Sequence, residues 1–283
     1  MTYLLSFRAQ AVGGAVIDPY LMVGDDPADP TALSIVPASR VPAIVAGRNL
    51  LFAAHGFNVS RNDGAVVLTT LGRYLAIPPP ALFVALLWPG DAWIPIVDYP
   101  FEGGVAIDCG RRLAAWCDAS CAGAQSLSFV SHSLGARLVL EAVARLKRKA
   151  RSVCLAAGAI NRDCLTAEYR AAAGNAEAIA ILASREDYVL KVAYSAGDPF
   201  ADILHDDHTP FVAALGAVGP PPPAAPPVAS PWQIPNSEGY GHGDYLPAAG
   251  AIALPPAPDA LWPRAADFMR RSFLGQTQTW PSG

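Results

Sequence analysis

The chain has 283 residues, of which 52% are hydrophobic and 16% charged, and 24 acidic against 20 basic side chains give a formal net charge of −4. So much apolar material excludes an intrinsically disordered protein, and a chain without a basic excess is a poor nucleic-acid binder. The 27 prolines are nearly twice the usual share of about 5%, so a predicted fold has to place them.

The predicted elements, in chain order, are short apolar runs that alternate with longer amphipathic ones. Residues 3–7, 15–23 and 50–54 are predicted strands, 64–76 a helix, 81–88 a strand, 101–122 a helix and 126–131 a strand. They are followed by a helix at 134–148, a strand at 152–157, a helix at 165–172, a strand at 178–184, and helices at 189–204 and 259–273. The first two strands are expected at the sheet edge, with residues 32–43 crossing over them.

This alternation predicts the α/β class, with a doubly wound, mostly parallel sheet covered on both faces in a single domain over residues 1–283. Between residues 210 and 235 lie nine of the 27 prolines, too many for a helix or an interior strand. Residues 200–235 are therefore predicted to form a proline-rich surface excursion, a cap or loop inserted in the domain.

The chain also carries signals about its environment. Its longest apolar run, residues 81–89, is less than half of the roughly 20 residues that cross a bilayer. No basic residue precedes the first apolar run, and the five cysteines include no C-x-x-C pair. We therefore expect a soluble cytoplasmic protein with reduced thiols and without stable membrane insertion.

The strongest chemical signal is the pentapeptide Ser-His-Ser-Leu-Gly at residues 131–135, where a predicted buried strand turns directly into a helix. So sharp a turn strains its central residue and requires small residues two positions before and after it. Ser133 is that central residue, and its hydroxyl is predicted to lie exposed above the N-terminus of a helix, where negative charge is favoured. A serine that merely caps the helix is the alternative for the pentapeptide alone.

With this motif the chain resembles the α/β-hydrolase family, whose nucleophile elbow is G-x-S-x-G with Ser131 here in place of the first glycine. The resemblance covers residues 50–273 and includes His-Gly-Phe-Asn-Val at residues 55–59. It implies an oxyanion hole formed by the backbone N–H groups of Phe57 and Leu134, with His55 in a structural role that orients the loop.

The family order of nucleophile, acid and base implies the remaining catalytic residues. The acid follows the second strand after the elbow, which favours Asp187 over its neighbour Glu186 and over Asp198. His242, in a glycine-rich loop before the last helix, stands where the family places its histidine. A helix cap at Asp187 and a solvated loop histidine at His242 are the structural alternatives.

Other residues have weaker signals. The side chain of His132 is expected to point away from the catalytic base. Trp88 and Trp93 are predicted to line the acyl pocket, with covering of the sheet edge as the alternative for a tryptophan there. The cluster at residues 205–208, His-Asp-Asp-His, is interpreted as a solvated acidic loop and not as a metal site.

The sequence therefore predicts a serine hydrolase that cleaves carboxylic esters through an acyl-enzyme and requires no metal or organic cofactor. Its partner is expected to be a small-molecule ester with an apolar acyl group. The same three residues can also act on amides or thioesters, or transfer acyl groups. A catalytically silent hydrolase fold used as a binding module is the alternative from another class.

Overall fold

The computed structural model describes the residues in eight ranges: 2–10, 12–24, 33–91, 95–195, 213–223, 226–229, 232–250 and 253–281. Within residues 95–103 and 192–195 only the backbone is described. Among the helices of these ranges, none has both the length and the apolar composition of a membrane span.

Ten strands of the described residues form one sheet. They are β1 (Thr2–Arg8), β2 (Val16–Gly24), β3 (Ser34–Ile35), β4 (Asn49–Ala54), β5 (Ala81–Leu87), β6 (Ser126–His132), β7 (Ser152–Ala156), β8 (Ile179–Ser184), β9 (Val228–Ala229) and β10 (Gln233–Ile234). The strand order is β10-β8-β7-β6-β4-β5-β1-β2-β3, and β9 also pairs with β8. Only the β1–β2 and β2–β3 pairs of this set are antiparallel.

The centre of the sheet is buried on both faces, as β4 shows. Along this strand Leu50, Phe52 and Ala54 belong to one hydrophobic cluster, whereas Leu51 and Ala53 belong to the cluster on the opposite face. Because successive side chains of a strand point to opposite faces, a strand with two apolar faces must lie between two layers of helices. The predicted fold class, a doubly wound and mostly parallel sheet, is confirmed.

Helices pack on both faces of the sheet. They are α1 (Val41–Val45), α2 (Arg61–Leu75), α3 (Pro95–Ser120), α4 (Gly135–Arg145), α5 (Arg170–Gly174), α6 (Tyr188–Ser195), α7 (Leu215–Val218) and α8 (Trp262–Leu274). Helices α3 and α4 cross closely at Gly110, where a Cβ atom would lie 2.6 Å from the carbonyl oxygen of Leu138. Helices α2 and α8 contribute their apolar side chains to the cluster on the other face.

Two local predictions were wrong. Strand β1 is not an edge strand, because it lies between β5 and β2, and β3 supplies the edge. The helix predicted at 165–172 is a series of turns in which Thr166 and Ala167 donate to the carbonyl of Asp163, and helix α5 begins only at Arg170. The predicted continuation of helix α6 from residue 196 to 204 lies outside the described residues.

The described part of the proline-rich segment packs along the β7 and β8 end of the sheet. The N–H of Leu215 donates to the carbonyl of Ile160 at 2.7 Å. Strands β9 and β10 both pair with β8 in parallel. Leu215 and Ile234 are fully buried. These residues therefore belong to the core and are not only a surface excursion, while residues 200–212 lie outside the described ranges.

Candidate active site

Ser133 lies at the turn between β6 and α4, as the pentapeptide predicts. Its φ of 53° is in the left-handed region, which is strained for a residue with a side chain. A Cβ atom at Gly135 would lie 2.6 Å from the carbonyl oxygen of His55, so a glycine there allows α4 to start against β4. Ser131, which stands in place of the first glycine of the motif, is buried, so a serine side chain fits at that position.

The structure brings together the three residues predicted to form the catalytic triad. The His242 Nε2 atom lies 2.8 Å from the Ser133 hydroxyl oxygen, and its Nδ1 atom lies 2.8 Å from Asp187 Oδ2. Because a carboxylate only accepts hydrogen bonds, Nδ1 carries the proton of the neutral ring and Nε2 is free to accept the Ser133 proton. This is the arrangement of a serine activated by a general base.

Asp187 is fixed at the start of α6. Its side chain is fully buried, and Oδ1 accepts a hydrogen bond of 3.0 Å from the N–H of Leu190. The side chain thus caps the helix and contacts His242 with its other oxygen, so both predicted roles are present in one residue. The rival Glu186 faces Lys191 at 4.0 Å with 41% of its side chain exposed, and Asp198 lies outside the described residues.

The loop that carries His242 is held from both sides. The Ser184 hydroxyl at the end of β8 donates to the carbonyl of Tyr240 at 2.7 Å. The N–H of Gly241 donates to Asp244 Oδ2 at 2.8 Å, which closes the turn around the histidine. Such contacts reduce the freedom of a glycine-rich loop, and they place the imidazole where it meets both partners.

His132 contradicts the prediction that its side chain points away from the base. Its Nε2–H donates to the carbonyl oxygen of His242 at 2.8 Å, and the two rings lie 4.9 Å apart. Burial, together with repulsion from His242, lowers the pKa of His132 to about 3. The prediction failed because the fold brings the loop of His242 over the elbow. His132 is therefore a neutral donor that holds the histidine loop.

The predicted oxyanion loop, residues 55–59, passes directly beside the nucleophile. A Cβ atom at Gly56 would lie 2.9 Å from Ser133 Cβ, so the backbone approaches the serine as closely as a glycine allows. Phe57 follows immediately, and Asn58 turns the chain with a φ of 56°. Leu134 is the N-cap residue of α4.

His55, the first residue of this loop, is fully buried, which is consistent with its predicted structural role. Its Nδ1 atom lies 2.9 Å from the carbonyl oxygen of Gly56. Burial lowers the pKa of His55 to about 4, and the nearby Arg8 charge acts in the same direction. The ring is therefore a neutral strut and donates to the loop through Nδ1.

The predictions for the tryptophans were less successful. Trp88 is fully buried, its indole stacks on His55 at 5.6 Å, and its Nε1–H donates to the carbonyl of His55 at 2.9 Å. A side chain without exposed surface cannot line the acyl pocket, and β5 is interior, so Trp88 does not cover the sheet edge either. Trp93 and residues 205–208 lie outside the described residues.

Several residues behind the site were missed by the sequence analysis. Arg8 ends the first strand and forms a buried ion pair with Asp91, and Ser184 holds the histidine loop. Two charged residues after apolar strands could have indicated this ion pair. Arg8 ends the first apolar run, and Asp91 follows the Pro-Gly after the strand at residues 81–88. Which charges pair across the sheet depends on strand order, which the sequence does not state locally.

Known proteins resemble this chain in two comparisons. The chain is similar to esterase PE8 in its crystal structure, with a TM-score of 0.44 and 20% sequence identity over 82% of this chain and 96% of that chain. No curated protein matches the chain significantly. The model of a family described as α/β hydrolases of unknown function, DUF900, matches residues 43–198. Since this match spans more than half of the chain, the protein belongs to that family of α/β hydrolases.

Proposed function

We propose that the protein is a serine hydrolase that cleaves carboxylic esters through an acyl-enzyme. The observation that carries the proposal is the unbroken hydrogen-bonded path from the Ser133 hydroxyl through His242 to Asp187, with both distances at 2.8 Å. A serine is a weak nucleophile until an adjacent base takes its proton, and here the base is within hydrogen-bond distance and itself oriented by a carboxylate.

In the first half-reaction, Ser133 Oγ attacks the ester carbonyl carbon while its proton moves to His242 Nε2. The carbon–oxygen bond to the leaving alcohol then breaks, and the His242 imidazolium gives its proton to that alcohol. Asp187 stays ionised and stabilises the imidazolium through Nδ1–H. In the second half-reaction His242 takes a proton from water, and the water oxygen attacks the acyl carbon. The bond from that carbon to Ser133 Oγ then breaks, His242 returns the proton to Ser133 Oγ, and the carboxylic acid leaves.

The negative charge that develops on the carbonyl oxygen requires donors beside Ser133. The N–H groups of Phe57 and Leu134 are the proposed donors, since one follows the glycine whose added Cβ would lie 2.9 Å from Ser133 Cβ and the other precedes α4. The N-terminal end of α4 adds its dipole at the same place. These steps use only groups of the chain and water.

An apolar acyl group is the proposed substrate feature. Tyr188 and Val189 follow Asp187 directly, and their side chains are exposed, at 74% and 54%. Large apolar side chains exposed beside a site supply surface that an acyl chain can cover. We further propose that residues 200–235 wall the substrate site, and that the substrate is a small molecule.

The direct test is labelling with a fluorophosphonate probe, in wild type and in Ser133→Ala. We expect the wild-type serine to be labelled and the variant to be unlabelled. A p-nitrophenyl ester series of increasing acyl length then reports the depth of the pocket, with turnover lost in Ser133→Ala. Absence of label from a folded wild type would favour the binding module and overturn the proposal. Turnover of a matched anilide at a rate equal to or above that of the ester would instead indicate an amidase.

A further inference from the structure

The first strand of the chain ends in a buried ion pair behind the oxyanion loop. Arg8 and Asp91 form this pair, and their side chains are 0% and 5% exposed. Arg8 is the last residue of β1, and Asp91 follows β5, which pairs in parallel with β1. Burial of two charges is costly, and replacement of such pairs by apolar residues is often neutral or stabilising. Stability alone therefore does not explain why the pair is there.

The guanidinium of Arg8 also holds two backbone carbonyls. It donates to the carbonyl of Val59 at 3.2 Å and to that of Trp88 at 3.1 Å. Val59 ends the His-Gly-Phe-Asn-Val loop, and Trp88 follows β5. A single planar donor group thus connects the loop of residues 55–59, the end of β5 and the carboxylate of Asp91. Arginine suits this role because its donors point in fixed directions.

Two further hydrogen bonds connect the same loop to the same support. The N–H of Asn58 donates to the carbonyl of Gly90, and the Trp88 indole donates to the carbonyl of His55 at 2.9 Å. The loop is therefore held by hydrogen bonds to residues 88–90. Within the same loop, a Cβ atom at Gly56 would lie 2.9 Å from Ser133 Cβ, so the backbone there passes close to the serine.

We infer that Arg8 and Asp91 are positioning residues that fix the oxyanion loop, and with it the Phe57 N–H, relative to Ser133. The inference rests on the proposed function, because it assigns a task to groups that the proposed reaction requires. An oxyanion donor is effective only when it is already aimed at the position of the developing charge. Small displacements of such a group cost large factors in rate. A loop needs an anchor to meet that requirement, and the fully buried guanidinium supplies it.

The test compares a p-nitrophenyl butanoate with its thiono analogue, in which sulfur replaces the carbonyl oxygen. Sulfur accepts hydrogen bonds weakly, so the oxyanion donors accelerate the oxygen ester far more than the thiono ester. The variant is the double substitution Arg8→Met with Asp91→Leu, which leaves no unpaired buried charge. We expect the ratio of kcat/KM for the two esters to fall by about tenfold or more, since a lost oxyanion donor costs about 10²–10³-fold.

A matched control is Arg264→Met, which breaks the ion pair of Arg264 with Glu238, 2.8 Å apart at the start of α8. It should lower the melting temperature slightly and leave the ratio of the two esters unchanged. If the double variant does not fold, Arg8→Lys decides by the same ratio, because lysine keeps the charge but not the planar set of donors. A fall of about threefold in the lysine variant supports the inference.

The outcomes separate the inference from the proposed function. In one outcome, wild-type turnover disappears in Ser133→Ala, but a folded Arg8 variant has an unchanged ratio of the two esters. That result overturns the inference and leaves the esterase proposal intact. If the wild-type protein shows no turnover that is lost in Ser133→Ala, both the inference and the esterase proposal are overturned. A lower ratio, together with end-point labelling of Ser133 by a fluorophosphonate that shows the serine still reacts, supports the positioning role.

Discussion

The two sides of Ser133 are built differently. On the proposed proton-transfer side, His242 keeps 19% of its side chain exposed and contacts the carboxylate of Asp187. The loop of His242 is held through backbone carbonyls by His132 and Ser184, at the ends of β6 and β8. On the oxyanion side, His55, Trp88 and Arg8 are 0–1% exposed, and their support includes a full ion pair. The imidazole of His242 is thus partly exposed, whereas the residues behind the oxyanion loop are almost fully buried.

The difference follows from what each side is proposed to do. The histidine has to accept and return a proton, and the water that releases the acyl group has to reach it. Its side chain therefore has to stay accessible to solvent. The oxyanion donors transfer no proton, and they stabilise the developing charge more strongly where water is excluded and their geometry is fixed. The comparison therefore predicts that proton-side substitutions change rate with little effect on folding, while oxyanion-side substitutions affect both.

The largest expected effect is on the proton-transfer side. Asp187→Asn keeps the shape of the side chain, but its amide can donate to His242 Nδ1 and so favours the wrong ring tautomer. We expect kcat for p-nitrophenyl butanoate to fall by about 10⁴-fold, as in a serine protease whose triad carboxylate is replaced by an amide. The melting temperature should change little, because Asn can still cap α6.

The matched control is the neighbouring Glu186→Gln. Its carboxylate is 41% exposed and contacts only the lysine side chain of Lys191 at 4.0 Å among its described charged neighbours. We expect kcat within about twofold of wild type, since an exposed ion pair contributes little. Equal losses in both variants would contradict the assignment of the acid to Asp187.

The next largest effect is expected at the contact between the two sides. In Gly56→Ala the added Cβ would lie 2.9 Å from Ser133 Cβ and 3.0 Å from His132 Nδ1. The oxyanion loop must then move away from the serine, and we expect kcat to fall by about 10²-fold together with a lower melting temperature. Gly104→Ala is the control, because nothing lies within 4 Å of its added Cβ. Wild-type kcat in Gly56→Ala would contradict the close contact.

Much of this architecture could be predicted from local signals. Apolar strands that alternate with amphipathic helices indicate a doubly wound sheet, and the small residues around Ser133 indicate a strained turn. The predicted roles of Asp187 and His242 came from the resemblance to α/β hydrolases, through the position of Asp187 after a strand and of His242 in a glycine-rich loop. Each of these signals lies within a few residues of the group that it predicts.

The residues that were missed depend on contacts between distant parts of the chain. Arg8 meets Asp91 only because β1 pairs with β5, and a pattern of apolar residues does not specify which strands are neighbours. His132 was misplaced for the same reason, since its partner is a carbonyl 110 positions away. The turns at 163–169 were taken for a helix because their composition permits either structure.

The smallest expected effect concerns His132, which lies between the two sides. His132 and His55 have pKa values lowered to about 3 and 4, against 6.5 in an unfolded chain. Below pH 6.5 the unfolded state therefore binds protons that the folded state does not, so stability is complete above pH 6.5 and falls as the pH decreases. At pH 5 each histidine should cost about 1–2 kcal/mol.

His132→Gln removes one of these two groups while it keeps a donor for the carbonyl of His242. We expect the loss of unfolding free energy between pH 7.5 and pH 5, measured by urea denaturation, to be about 1–2 kcal/mol smaller than in wild type. Activity at pH 7.5 should stay within about threefold, because the glutamine amide still holds the histidine loop. An equal loss in both proteins would mean that His132 takes up its proton as readily folded as unfolded.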